Sequence, residues 1–137
     1  MKFSTKIAVL LRDDLLTWQR LNVTAFLVSG IGTLVPEVVG EPYADADGVV
    51  YLPMFRQPVM VFQGGEELLA AAHGRALGRD GVVMSVFTSD LFATGHDAAN
   101  RDAVRAVRTG DLDLVGLAVH GPRNAVDRVV KGAAMHP

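Results

Sequence analysis

The sequence predicts one α/β domain in which helices cover both faces of a sheet. Four continuous apolar runs have the length of buried strands, and segments with helical spacing alternate with them. The runs are residues 7–11, 59–62, 82–87 and 114–119. Strands that alternate with helices pair in parallel through right-handed crossovers. The 137 residues, half of them hydrophobic, suffice for one such core.

The first half of the chain predicts a helix and then a hairpin. Apolar residues from Val23 onward follow helical spacing, and Pro36 ends that helix. Residues 36–58 hold four of the six prolines, and the pair Asp47-Gly48 lies among them, which indicates an irregular hairpin inserted at about residues 40–57. We therefore treat residues 1–137 as one domain with this insertion.

The second half predicts three more helices. Glu66 and Glu67 open a helix whose acidic start suits the helix dipole. A helix over residues 97–107 follows the third strand and would be buried through Ala99, Ala103, Ala106 and Val107. Gly121-Pro122 predicts a turn into a last helix.

Composition excludes several classes of site. There is no cysteine, which excludes a disulfide scaffold, a thiol nucleophile and a thiolate zinc site. None of the four histidines has the spacing of a metal site, so we predict neither a metal nor a cofactor. The signal-like start, Met1-Lys2-Phe3, leads into an apolar run that is too short and lacks a cleavage site. We expect a cytoplasmic protein without membrane contact.

A polar loop after the third strand is the first candidate site. Residues 88–96 supply hydroxyl groups, the Asp90 carboxylate and the His96 imidazole. If the first and third strands are parallel, this loop and Arg12 reach the same sheet edge. A group that orients water, beside donors for an oxyanion, is the minimum for ester hydrolysis. The alternative is that Ser89, Asp90 and Thr94 only cap the next helix.

Three arginines form a second candidate site. Arg101, Arg105 and Arg108 share one face of the predicted helix. Such a stripe fits a phosphate backbone, or it is a solvated helix face partly balanced by Asp102.

Both ends of the chain resemble type II peptidyl-tRNA hydrolases. Residues 7–15, with Arg12-Asp13-Asp14-Leu15, resemble the opening strand of that family, and residues 117–132 resemble its last strand, Gly-Pro turn and terminal helix. The whole chain more closely resembles an uncharacterised bacterial family with the same fold. Segments typical of it are Thr17-Trp18-Gln19, Leu21-Asn22-Val23-Thr24-Ala25-Phe26, Tyr51-Leu52-Pro53-Met54, Phe92-Ala93-Thr94-Gly95-His96 and Leu112-Asp113-Leu114-Val115-Gly116.

The resemblance implies a three-layer α/β/α sandwich around a mixed, mostly parallel four-stranded sheet, and a homodimer. The hydrolases use a lysine early in the first helix, where this sequence has Arg20 or Asn22. They also use an aspartate after the third strand, for which Asp90 is a shifted equivalent, and a nearby hydroxyl.

The hydrolase hypothesis assigns roles to the candidate residues. Asp90 or His96 would orient or deprotonate water, while Asn22, Thr88 or a backbone amide would hold the oxyanion. Arg12 is expected to be held by Asp14 or a neighbouring element. The residues predicted to bind substrate, which is tRNA or a smaller ester or amide, are Arg20, Thr24, Arg101, Arg105 and Arg108.

Two other hypotheses remain open. One is a non-catalytic module that binds a metabolite or a protein segment in the same cleft. The other is an interaction protein in which the hairpin, with Tyr43, Tyr51 and Phe55, packs on a second copy.

Overall fold

The protein is described here from a computed structural model, which covers residues 3–137. Met1 and Lys2, the first residues of the signal-like start, lie outside this range. The strands are β1 (Thr5–Arg12), β2 (Tyr43–Ala44), β3 (Val50–Tyr51), β4 (Val59–Gly64), β5 (Val83–Thr88), β6 (Leu114–Pro122) and β7 (Ala134–Met135). The α-helices are α1 (Thr17–Leu34), α2 (Glu66–Leu77), α3 (Asp97–Arg105) and α4 (Arg123–Val129). Short 3₁₀ turns span Pro36–Val38, Ser89–Phe92 and Thr109–Asp111.

The main sheet has five strands in the order β5-β6-β1-β4-β7, which corrects the predicted number of four. The fifth strand, β7, has only two residues and pairs with the end of β4 through Phe62 and Gln63. A strand of two residues has no periodic pattern, so β7 could not be predicted from the sequence.

The sheet is mixed. Only β1 and β4 form a parallel pair, while β6 runs antiparallel to both β1 and β5. Consequently β1 and β5 point in the same direction, as predicted, although they are not neighbours. The prediction of a mostly parallel sheet is therefore wrong. The strand β6 starts at the edge where β5 ends, so the chain does not cross back over the sheet, and β7 is antiparallel to β4.

Both faces of the sheet are covered. In β1, Ile7, Val9 and Leu11 face α1, whereas Ala8 and Leu10 face α2 and α4. All five side chains are buried. This two-sided burial explains why the run is apolar without alternation.

Two predicted features of the second half differ in the structure. No residue of α3 is buried, and Ala106 is exposed, because this helix packs on the turn Ser89–Phe92 at the sheet edge instead of on the sheet. Gly121-Pro122 is not a turn, since β6 continues through Pro122, which pairs with Thr5. Proline is tolerated there because it occupies the end of the strand.

Within the described residues, no helix combines the length and the low polarity needed to span a membrane.

Candidate functional site

One edge of the sheet gathers the ends of three strands. The carboxyl ends of β1, β4 and β5 lie there, because these strands share one direction. Arg12, at the end of β1, bonds Asp14 through Nε at 2.9 Å and Asp113 through a terminal nitrogen at 2.6 Å. Burial alone would lower the pKa of Arg12, but these hydrogen bonds outweigh it and raise the pKa. Arg12 is therefore held by its neighbours, as the sequence predicted.

Asp113 is the second member of this network. Hydrogen bonds from the Ser89 hydroxyl and from Arg12 lower the pKa of its carboxyl group. The network ties the end of β1 to the loop after β5 and to the start of β6. The network positions the polar loop, and the lowered pKa keeps the carboxyl group of Asp113 ionised.

An aromatic cleft opens beside this edge, between α1 and the segment of residues 91–100. Its volume is about 370 Å³. Four rings form one chain across it: Trp18 contacts Phe92 edge-on with centroids 6.1 Å apart, Phe92 lies 5.2 Å from Phe87, and Phe87 lies 6.0 Å from Phe26. Trp18 and Phe26 are 58% and 57% exposed, so the chain of rings is open to solvent at both ends.

Polar side chains also line the aromatic cleft. They are Asn22, Thr94, His96, Asp97 and Asn100. The Thr94 hydroxyl lies within hydrogen-bonding distance of the backbone oxygen of Leu91 and of the side chain of Asn100. Asp97 is paired with Arg101 on the next turn of α3.

His96 has a defined role in the local structure. It is the N-cap of α3, and its Nδ1 accepts the backbone N–H of Ala99 at 3.2 Å. A neutral imidazole that accepts at Nδ1 carries its proton on Nε2. In this arrangement His96 offers a donor at Nε2, and its one lone pair is already used.

The four residues predicted to be catalytic do not share one surface. Asn22 and His96 both line the aromatic cleft, but Thr88 and Asp90 are not among its lining residues. Thr88 is only 1% exposed, and its hydroxyl has no hydrogen-bond partner within residues 3–137. Asp90 is exposed on the 3₁₀ turn, where its backbone oxygen accepts from Ala93.

The residues predicted to bind substrate on α1 are engaged in structural contacts. Arg20 donates to the backbone oxygens of Leu15 (3.1 Å) and Asp13 (2.7 Å), and to Gln63 Oε1 (2.8 Å). The Thr24 hydroxyl donates to the backbone oxygen of Arg20. Both residues line a second, larger depression, the apolar groove, of about 730 Å³ between α1, β4 and the C-terminus.

The predicted arginine stripe lies away from these depressions. Arg101 pairs with Asp97, whereas Arg105 and Arg108 are exposed and form no ion pair within the described residues. They line shallow depressions beside the end of α3. Among residues 3–137, no group of three histidine or acidic side chains is arranged to hold a metal ion.

Sequence reasoning did not single out Trp18, Phe92 or Asn100 as site residues. A signal was available on α1, since Trp18 precedes the apolar spacing that begins at Val23 and adds a large aromatic side chain outside it; Phe26 fits that spacing and yet is exposed. Large aromatic residues on the solvent side of a helix indicate a binding surface.

Comparisons with known proteins give a family but no activity. A family model described as a protein of unknown function, DUF2000, matches residues 5–137. A solved structure of a protein of unknown function from Agrobacterium tumefaciens strain C58 is 47% identical, covers 99% of this chain and all of its own, and superimposes with a TM-score of 0.94. No curated protein matches.

Proposed function

We propose that this chain, which belongs to the DUF2000 family of proteins of unknown function, is a binding protein. Its ligand occupies the aromatic cleft. The chain of four rings carries this proposal. Trp18 and Phe26 remain more than half exposed at the cleft, although large aromatic side chains gain much from burial. A concave, mostly apolar surface with a few polar groups is the usual form of a small-molecule site.

The polar groups of the cleft narrow the class of ligand. The cleft offers hydrogen-bond donors at Nε2 of His96 and at the amide nitrogen of Asn22. The carboxylate of Asp97 is already paired with Arg101. The ligand we propose has a flat or apolar body that packs on the rings and a carbonyl or similar acceptor that meets these donors.

The same placements favour binding over hydrolysis. A hydrolase site needs a base within reach of a water and donors around the developing oxyanion. The Nδ1 lone pair of His96 caps α3, Asp90 does not line the cleft, and Thr88 is buried. Hydrolysis of peptidyl-tRNA, or of a smaller ester or amide, is therefore the competing outcome of the tests below.

Trp18 makes the binding test direct, because it is the only tryptophan of the chain. N-acetyl-phenylalaninamide carries both an aromatic ring and carbonyl groups, and we use it as the probe. We expect its addition to change Trp18 fluorescence in a saturable manner. A fluorescence signal that does not respond, or that changes linearly without saturation, would contradict the proposal.

Two variants locate the probe. Asn22→Ala removes a donor at the cleft, and Asn124→Ala removes a similarly exposed helical asparagine on α4. We expect the first to weaken binding about tenfold, the loss of roughly one hydrogen bond, and the second to leave it unchanged. Equal effects of the two variants would place the probe elsewhere.

His96→Asn separates binding from stability. Asparagine is a preferred N-cap, so α3 keeps its cap while the Nε2 donor is lost. We expect an unchanged melting temperature and weaker probe binding. A variant that binds as tightly as the original chain would exclude Nε2 from the site.

Release of peptide from N-blocked aminoacyl-tRNA tests the competing activity. We expect no release by the purified protein. Release that is lost in Asp90→Ala would show a hydrolase and overturn the proposal of a binding protein.

A further inference from the structure

A hairpin arm, residues 41–52, projects from the domain without support from its own chain. Every residue of the arm is exposed. Its two strands, β2 and β3, pair through only two residues each, around a turn with Gly48 at φ +84°. Two such short strands are marginally stable alone in water. The arm therefore needs a surface to pack on.

The arm presents apolar side chains to that surface. Val50 and Leu52 are 69% and 84% exposed, and Tyr43 and Tyr51 are about half exposed. The Tyr51 hydroxyl donates to Asp45 at 2.7 Å, which holds the turn and lowers the pKa of Asp45. The arm thus exposes apolar side chains along its strands, and the carboxylates of Asp45 and Asp47 lie near its tip.

The outer face of α1 is an equally unpartnered surface. Only Val23, Leu27 and Ile31 of this helix are buried, yet Leu21 and Leu34 are both 70% exposed. Arg20 is the one charged residue among the eighteen. A helix that is apolar on all sides is normally buried on all sides.

The amount of exposed apolar surface matches an interface. Among residues 3–137, thirteen large hydrophobic side chains are exposed, and nine of them lie between Leu16 and Met54 without lining the aromatic cleft. At roughly 150 Å² for a whole large side chain, they present on the order of 1,000 Å² per copy. A standard interface buries about 800 Å² per partner.

The arm and the helix are placed to meet in a symmetric pair. The arm leaves the domain after the C-terminal end of α1, where Phe55 contacts Gly32, and the apolar groove opens at the N-terminal half of the same helix. In a twofold pair with antiparallel α1 helices, the arm of one copy starts beside the N-terminal half of the other α1. At 1.5 Å per residue, the helix α1 is about 27 Å long. At 3.3 Å per residue, the arm reaches about 20 Å, because half of its residues lead outward and half lead back.

Charge favours contact of the arm with the helix over contact of two arms. Glu41, Asp45 and Asp47 give each arm three carboxylates, and no lysine or arginine lies within it. Two arms side by side would repel each other, whereas the outer face of α1 carries no acidic residue.

We infer that the protein is a homodimer in which each arm packs on the N-terminal half of the partner's α1 and covers the apolar groove. This inference concerns a surface separate from the aromatic cleft and does not depend on the proposed ligand.

Sedimentation equilibrium of the full chain tests the dimer. We expect twice the chain mass of 14.6 kDa. Leu52→Asp on the arm and Leu21→Asp on α1 should each weaken association at least thirtyfold, because each places a carboxylate in the interface. Leu77→Asp on α2, which is 60% exposed on the other side of the sheet, is the matched control and should remain dimeric.

Circular dichroism of each variant shows whether it is folded. A wild-type chain that stays monomeric at every concentration overturns the inference. A dimer that survives both Leu21→Asp and Leu52→Asp, or that is lost equally in Leu77→Asp, overturns it as well.

Cross-linking tests which surfaces meet and does not require a destabilising charge. The chain has no cysteine, so Leu21→Cys and Leu52→Cys prepared separately each carry one thiol. After mixing and oxidation, we expect a disulfide-linked species that contains one chain of each variant. A folded mixture that gives no such mixed species rejects the contact between arm and helix.

Discussion

Gly116→Ala is expected to destabilise the protein by adding a single carbon beneath α1. Gly116 lies in β6, and a Cβ atom there would approach Val23 Cγ1 to 2.8 Å, Leu27 Cδ1 to 3.1 Å and Leu11 Cδ2 to 3.3 Å. All three neighbours are at most 3% exposed, so none has free space to move into. The added carbon would force α1 away from the sheet.

The expected loss follows from this crowding. Overpacking a filled core costs about 1–3 kcal/mol. At about 4 °C of melting temperature per kcal/mol for a chain of this length, the melting temperature should fall by about 4–12 °C. Since α1 forms walls of both the aromatic cleft and the apolar groove, the substitution should also weaken probe binding.

Gly74→Ala is the matched control. Gly74 lies in α2, is exposed, and has no atom within 4 Å of its added Cβ. Alanine is the better helix former, so this variant should gain about 0.5–1 kcal/mol. Thermal and urea unfolding, at one protein concentration because association adds to stability, measure both variants. If Gly116→Ala is as stable as the original chain, α1 is not seated on the sheet as described.

Two further predictions concern the same fold. Arg20→Met should lower the free energy of unfolding, measured in urea, by about 1–3 kcal/mol, because three acceptors lose their donor. The control Arg105→Met, at an exposed arginine, should change it by less than about 0.5 kcal/mol. Equal effects of the two variants would refute the structural role of Arg20. Burial lowers the pKa of His73, and for His120 burial outweighs the opposing charge of Glu37. As the pH falls, these histidines take up protons in the unfolded chain before they do so in the folded protein. The free energy of unfolding should therefore fall as the pH drops from about 7.5 to about 5.5. An unchanged free energy of unfolding over this range would contradict the burial of both rings.

The main elements were predictable because their patterns are strong. Residues 7–11 form a continuous apolar run, and the structure buries them on both faces. Pro36 ends the first helix close to where α1 stops at Leu34. These signals depend only on residues that are near each other in the chain.

Strand direction and pairing were harder to predict because they depend on distant residues. The apolar run of β6 is compatible with either direction, and the two residues of β7 have no pattern at all. The amphipathic spacing of α3 predicted a buried helix, although it packs only against a short turn.

The candidate site was predictable only in part, because several of its contacts join residues that are distant in the chain. Of the four residues predicted to share one site, Asn22 and His96 line the aromatic cleft, whereas Thr88 and Asp90 do not. The contacts of Arg20 were not predictable, because two of its acceptors are backbone oxygens and the third, Gln63, lies forty-three residues away. Thr88 is buried beside a register shift between Phe87 and Thr88, and no local sequence pattern indicates either feature.

The base of the arm has a consequence for how this fold can change. Gly40 N–H bonds the backbone oxygen of Met54 at 2.9 Å, and Arg56 N–H bonds that of Val38 at 2.8 Å. The thirteen residues between Gly40 and Met54 enter and leave the domain at a single closed junction. Doubling the length of a loop costs only about 0.6 kcal/mol, so segments of other sizes fit at this junction without shifting any strand of the sheet. The junction is accordingly a position at which a segment of another length can replace the arm while the sheet and its helices keep their arrangement.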